Sequence, residues 1–218
     1  TLRASGPSAS RAGAGREASC APARAAFHFG ALAPEVGFVM TIGQEYKIIV
    51  TGTMGAGKTT AISAISDVKV VSTEAANSDQ ATYAKASTTV ALDYGVIQLD
   101  GGDRVRLYGT PGQQRFSFMW NILAKGALGL ILLIDNSSPT PLEDLGRFLT
   151  AFDELAQNGA VVIGVTHRDV TAGPTMGQYN EVLSSRGLSL PVFSIDGRER
   201  EHILLMVDAL LSSIEAFE

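Results

Sequence analysis

Between the apolar run Tyr46-Lys47-Ile48-Ile49-Val50 and the segment Thr60-Ala61-Ile62-Ser63-Ala64-Ile65 lies Gly52-Thr53-Met54-Gly55-Ala56-Gly57-Lys58-Thr59. This is a complete G-x-x-x-x-G-K-[ST] loop, flanked by the strand and the helix that give such a loop its meaning. The glycines Gly52, Gly55 and Gly57 let the backbone wrap closely around a phosphate and turn N–H groups inward, with Ala56 between them. The helix opening at Lys58 adds the N–H groups of Thr59 and Thr60 and the positive end of its dipole. Lys58 is placed to reach the outer phosphates of a nucleotide and the Thr59 hydroxyl to ligate Mg²⁺. The plain alternative is a glycine-rich turn that binds nothing.

Composition limits what can surround this loop. The chain has 218 residues, enough for one α/β domain and a tail, and 45% hydrophobic residues, enough for a full core. A net charge of −5 with no basic cluster gives no footprint for nucleic acid. The lone cysteine, Cys20, excludes a disulfide frame and a zinc pattern within the sequence, and fits a reducing, cytoplasmic setting. The longest apolar stretch, Ala127–Ile134, has the length of a strand and not of a membrane span. There is no cysteine near residue 218 for lipid attachment, so no direct membrane anchor is expected.

Residues 1–39 stand apart: rich in Ala, Ser, Gly and Pro, with four arginines and two acids and no sustained apolar period. They read as a disordered tail, or as translated sequence ahead of a true start at Met40. An organelle transit peptide is the third reading. The domain is then 40–218, where strands and helices alternate. Strands are expected at Tyr46–Thr51, Val90–Leu99, Val105–Tyr108, Leu128–Ile134, Val161–Thr166 and Val192–Ile195. Helices are expected at Lys58–Ser66, Arg115–Lys125, Pro141–Asn158, Met176–Ser185 and Glu199–Glu218. The runs Leu128–Ile134 and Val161–Val165 are apolar throughout, as in strands covered on both faces. Asp100-Gly101-Gly102-Asp103 reads as a hairpin turn. The expected fold is therefore α/β: a three-layer P-loop NTPase fold with a six-stranded, mostly parallel sheet and one antiparallel edge strand.

After the Val105–Tyr108 strand comes Gly109-Thr110-Pro111-Gly112-Gln113. Taken alone this is a Pro-Gly turn with an exposed Gln. Beside a phosphate loop, the Gly112 N–H could meet a γ-phosphate oxygen and Gln113 could orient an attacking water. Together with Thr88-Thr89-Val90-Ala91-Leu92-Asp93-Tyr94-Gly95, Arg115-Phe116-Ser117-Phe118-Met119-Trp120 and Gly126-Ala127-Leu128-Gly129, these residues resemble the small Ras-like GTPases. Within them, the likeness is to the bacterial subgroup of conservon-type and gliding-motility polarity GTPases, over about residues 45–215. The resemblance implies a GTP/GDP switch with slow hydrolysis, catalysed by positioning through Gln113 and by charge neutralisation through Lys58 and Mg²⁺. It implies that Thr89 completes magnesium coordination with Thr59, although neighbouring Thr88 fits almost as well. It makes residues 72–88 the first switch segment, and it implies a roadblock-type regulatory protein docking on the switches.

The chain departs from that pattern at two places. Gly109 stands where most small GTPases carry an Asp that holds a magnesium-bound water, an absence shared by the motility subgroup. Thr166-His167-Arg168-Asp169 stands where the family reads N-K-x-D. Asp169 keeps the acceptor-only carboxylate suited to the two N–H donors of guanine, which adenine lacks. Thr166 replaces the bracing Asn, and His167 replaces the Lys that stacks on the base. Ser194, Ile195 and Asp196 are expected to line the base pocket. Two further readings stay open. One is a nucleotide-binding scaffold module with little or no turnover, and the other is an ATP-binding P-loop protein. Residues 116–120 could be core or a partner-facing surface, and His202 reads as a surface residue.

Overall fold

The computed structural model describes residues 43–72, 92–112, 116–170 and 172–217. The boundary expected at residue 39 lies outside them, as do Thr88, Thr89, Gln113 and Arg115. The two apolar strands form the centre of the sheet. β5 (Gly129–Asp135) and β6 (Val161–Thr166) are buried along nearly their whole length. β1 (Glu45–Gly52) pairs in parallel with β5 on one side and with β4 (Arg104–Gly109) on the other. β6 and β7 (Val192–Ser194) continue the sheet in parallel. On the far side β3 (Asp93–Gln98) runs antiparallel to β4, as the hairpin turn requires.

The full order is β2-β3-β4-β1-β5-β6-β7. The six expected strands are joined by β2 (Val71–Ser72), a two-residue strand at the edge beside β3. It is too short to leave a period in the sequence. The turn between β3 and β4 is a single 3₁₀ turn over Asp100–Gly102, in which Gly101 (φ 84°) and Gly102 (φ 93°) both lie in the left-handed region. A Gly-Gly pair adopts that at little cost, which helps fix the pairing register of the whole hairpin.

Strand alternation sorts side chains onto two faces. Ile48, Val50, Ile131 and Leu133 face α1 (Lys58–Ile65) and α6 (Arg200–Phe217), packing on Ile62, Ile65, Met206 and Leu210. Ile49, Leu130, Leu132 and Ile134 face α2 (Ser117–Ala124), α3 (Pro141–Ala151) and α5 (Met176–Ser185), packing on Trp120, Leu145, Phe148 and Tyr179. Each fully buried Ile or Leu contributes about 1.5–3 kcal/mol, so both layers are needed to hold the sheet.

The helix expected to run unbroken from Pro141 to Asn158 is two helices, α3 and α4 (Asp153–Gln157). Phe152 leaves helical geometry at φ −117° and ψ 36°. The break keeps Phe152 and Ala156 both in the core, with the Phe152 ring 6.0 Å from that of Trp120. Among the described residues no helix is long and apolar enough to cross a membrane.

Because β1, β4, β5, β6 and β7 run the same way, the segments that follow their carboxyl ends gather along one edge of the sheet. Every predicted site residue among the described ones is the last residue of one of those strands, lies on the segment that follows it, or lies on the first turn of α1.

Candidate nucleotide-binding site

The phosphate loop is held to the sheet before it turns. The Thr53 N–H donates to the Leu133 carbonyl at 3.2 Å, and the Asp135 N–H donates to Thr53 Oγ1 at 3.0 Å. Gly52 crosses β5 so closely that a Cβ on it would lie 1.8 Å from the Leu133 carbonyl oxygen, at a φ of 142°. Gly57, at φ 85°, is the left-handed residue from which α1 starts, so its glycine is a conformational requirement.

Lys58 lies back across this loop. Its Nζ donates to the Gly52 carbonyl at 3.1 Å and to the Thr53 carbonyl at 2.7 Å. Burial lowers its pKa to about 8, against the opposing pull of the Asp93 carboxylate. A half-desolvated ammonium resting on two carbonyls is a cation poised for a polyphosphate. The Thr59 hydroxyl is exposed and donates to Asp93 Oδ2 at 2.5 Å. Sequence reading had not given Asp93 a role.

The segment after β4 packs directly on the loop. The Thr110 N–H donates to the Val50 carbonyl at 2.9 Å, and the buried hydroxyls of Thr110 and Thr51 meet at 2.6 Å. A Cβ on Gly112 would stand 2.6 Å from Lys58 Nζ and 2.8 Å from the Met54 nitrogen. Gly112 thus sits against the lysine and the loop. The stretch beyond divides in two. Trp120 is buried, its ring 4.6 Å from Phe148, with its indole N–H donating to the Pro111 carbonyl at 3.3 Å. Phe118 and Ile122 face solvent at 63% and 65% exposure.

A cavity opens beside the loop. Ala56, Gly57 and Thr60 form one wall, Thr166, His167 and Asp169 another, and Ile195, Asp196, Gly197 and Arg198 the third. Ser194 is exposed and ends β7 rather than lining this cavity. Thr166 is buried and its hydroxyl donates to the Ile134 carbonyl at 3.3 Å, so it braces the neighbouring strand. His167 takes the left-handed conformation (φ 56°), and its Nδ1 lies 3.0 Å from Asp135 Oδ1. Burial pushes the Asp135 carboxyl up, but hydrogen bonds from Ser137 and the nearby His167 outweigh it and leave its pKa lowered. Behind this loop the Tyr179 hydroxyl donates to the buried Asn136 Oδ1 at 2.9 Å. On the third wall the Asp196 carboxylate is already paired. It holds Arg198 in a fork, with contacts of 2.9 and 3.1 Å to Nε and 2.6 Å to Nη2, which lowers its pKa to about 2. The Asp196 N–H is given to His202 Nδ1 at 3.1 Å, so the exposed His202 anchors the loop.

A glycine loop on a parallel sheet, a lysine folded over it and a cavity alongside define a nucleotide-binding P-loop protein. The chain belongs to the family described as conserved hypothetical ATP binding protein, whose model matches residues 67–178, just over half of the chain and beginning after the phosphate loop. It is 31% identical over 100 residues to an uncharacterized protein of Methanocaldococcus jannaschii, covering 46% of this chain and 57% of that protein. It is 24% identical over 179 residues to the Ras-related protein RabC of Dictyostelium discoideum, covering 78% of this chain and 84% of RabC. To the human Ras-related protein Rab-12 it is 24% identical over 128 residues, covering 57% of this chain and 47% of Rab-12. The chain is thus distantly Ras-like, and it spans a little over half the length of its methanogen relative.

Proposed function

We propose that the protein is a guanine-nucleotide switch that hydrolyses GTP to GDP slowly, in the cytoplasm. The observation that carries this reading is the placement of Asp169 on the wall of a cavity beside the phosphate loop. An ionised carboxylate only accepts hydrogen bonds, so it matches the paired N–H donors of guanine and repels the acceptor N1 of adenine. Lys58 and the loop amides hold the phosphates. Gly112, packed on Lys58, sits where its N–H can meet the terminal phosphate, and Gln113, outside the described residues, is assigned the attacking water.

The site also fits magnesium. Mg²⁺ takes oxygen donors, often one or two from the protein with the rest from phosphate and water, and the exposed Thr59 hydroxyl supplies one at the mouth of the loop. Bound there, the ion would offset the charge that builds on the β- and γ-phosphate oxygens. Thr89 is assigned as the second protein ligand. Hydrolysis by positioning alone is slow, so a separate regulator of the roadblock type is assigned to the switch side, where Met54, Phe118 and Ile122 expose apolar surface.

A second reading, ATP binding, is favoured by the family's description and by Thr166 in place of a bracing Asn. The two separate in single-turnover hydrolysis of radiolabelled GTP and ATP by the full chain, with Gln113→Ala alongside. Cleavage of GTP that falls on losing Gln113 supports the switch. Cleavage of ATP alone overturns it, and binding without cleavage leaves a nucleotide-binding scaffold.

A further inference from the structure

The chain lacks a carboxylate at position 109, yet the place that carboxylate would fill is not empty. Gly109 ends β4 and pairs in register with Asp93, the first residue of the antiparallel neighbour β3. A Cβ built on Gly109 would lie 2.8 Å from Asp93 Cβ and 3.2 Å from Asp93 Oδ2. The Asp93 side chain therefore enters the volume over Gly109, and it does so because Gly109 has no side chain. From there its Oδ2 reaches Thr59 Oγ1 at 2.5 Å, and its charge acts on Lys58. One carboxylate thus bonds the Thr59 hydroxyl and acts by its charge on Lys58, the two side chains that the phosphate loop offers to a nucleotide and its cation.

We propose that Asp93 is the magnesium-positioning carboxylate of this protein, delivered from β3 instead of β4 and holding the hydration shell of the ion ligated by Thr59. The inference rests on the nucleotide-binding reading above. A residue that holds a metal's bound waters works through charge and orientation, and its loss typically costs 10- to 100-fold in metal affinity. The glycine at 109 and the aspartate at 93 form one device: two side chains cannot share that volume, so the fold keeps one carboxylate and one glycine.

The test is the release of fluorescent methylanthraniloyl-GDP from the full chain, measured over a magnesium titration and in EDTA. Wild-type protein releases the probe more slowly as magnesium rises. In Asp93→Asn the magnesium concentration giving half of that slowing should rise by about 10- to 100-fold, while release in EDTA changes far less. The exchange variant Asp93→Gly/Gly109→Asp restores the carboxylate from the opposite strand and should recover most of the magnesium response. Faster release of equal size in EDTA and in magnesium would place Asp93's role in its charge on Lys58 and overturn the proposal. So would a wild-type magnesium response in Asp93→Asn. If the wild-type chain takes up no probe under either condition, the nucleotide reading itself fails. Retained binding in EDTA shows that each variant is folded.

Discussion

The two ends of the cleft are built by different means. At the phosphate end the work is done by main chain: Gly52 squeezed against Leu133, Gly57 turning left-handed into α1, and one lysine resting on carbonyls. At the base end it is done by side chains from three separated segments, His167 on Asp135, Arg198 on Asp196, and Tyr179 on Asn136. A site shaped by backbone tolerates almost no substitution and reads the ligand's generic part. A site shaped by side-chain pairs, such as His167 with Asp135, can change members one at a time.

If the phosphate end is the indispensable one, Lys58→Ala should weaken nucleotide binding by about 100-fold or more while far-UV circular dichroism stays native, read by equilibrium dialysis with GDP. Gly52→Ala attacks the same end through the fold. With a carbonyl 1.8 Å from the new methyl, β1 must move, costing roughly 3 kcal/mol in a denaturant titration. An unaltered midpoint would mean that the loop is looser than its geometry implies.

At the base end Asp169→Asn should cost about 30- to 100-fold in GTP affinity and improve binding of xanthosine triphosphate, whose oxygen prefers an amide donor. Equal loss for both would detach Asp169 from the base. A milder handle is pH. Lys58 has its pKa lowered to about 8, so the free protein is more stable as pH rises from about 8 towards 10.5, where the unfolded chain binds more protons. Phosphates raise that pKa, so nucleotide binding takes up a proton. Affinity should be flat below pH 7 and fall by at most tenfold per pH unit above about 8, checked by dialysis across that range. Weakest of all, Asp196→Asn releases Arg198 at the solvent-exposed rim, and GTP affinity should change by less than about threefold.

Legibility in the sequence follows the same division. The phosphate loop could be read because its requirement is local: glycines at fixed spacing between a strand and a helix. The central sheet could be read because β5 and β6 are apolar on both faces. β2 could not, since two residues carry no period, and neither could the break at Phe152, since its apolar stripe runs on unbroken. Asp93 was missed for a different reason. Its role depends on pairing with Gly109, and only the register of the hairpin reveals that. The Asp100–Asp103 turn held that information, because two left-handed glycines help fix which residues face each other. At the base end the fork between Asp196 and Arg198 is equally local, but nothing in the sequence says that the carboxylate is committed to that arginine.

The proposed occupant of this cleft is a guanine nucleotide. The direct measurement is displacement of labelled GTP from the full chain by unlabelled GTP, ATP and xanthosine triphosphate in magnesium. GTP should displace the label at concentrations at least about 100-fold below those required of ATP, because a site hydrogen-bonding one base leaves its polar groups unpaired against another. Equal displacement by ATP and GTP would contradict it and return the protein to a general P-loop nucleotide binder.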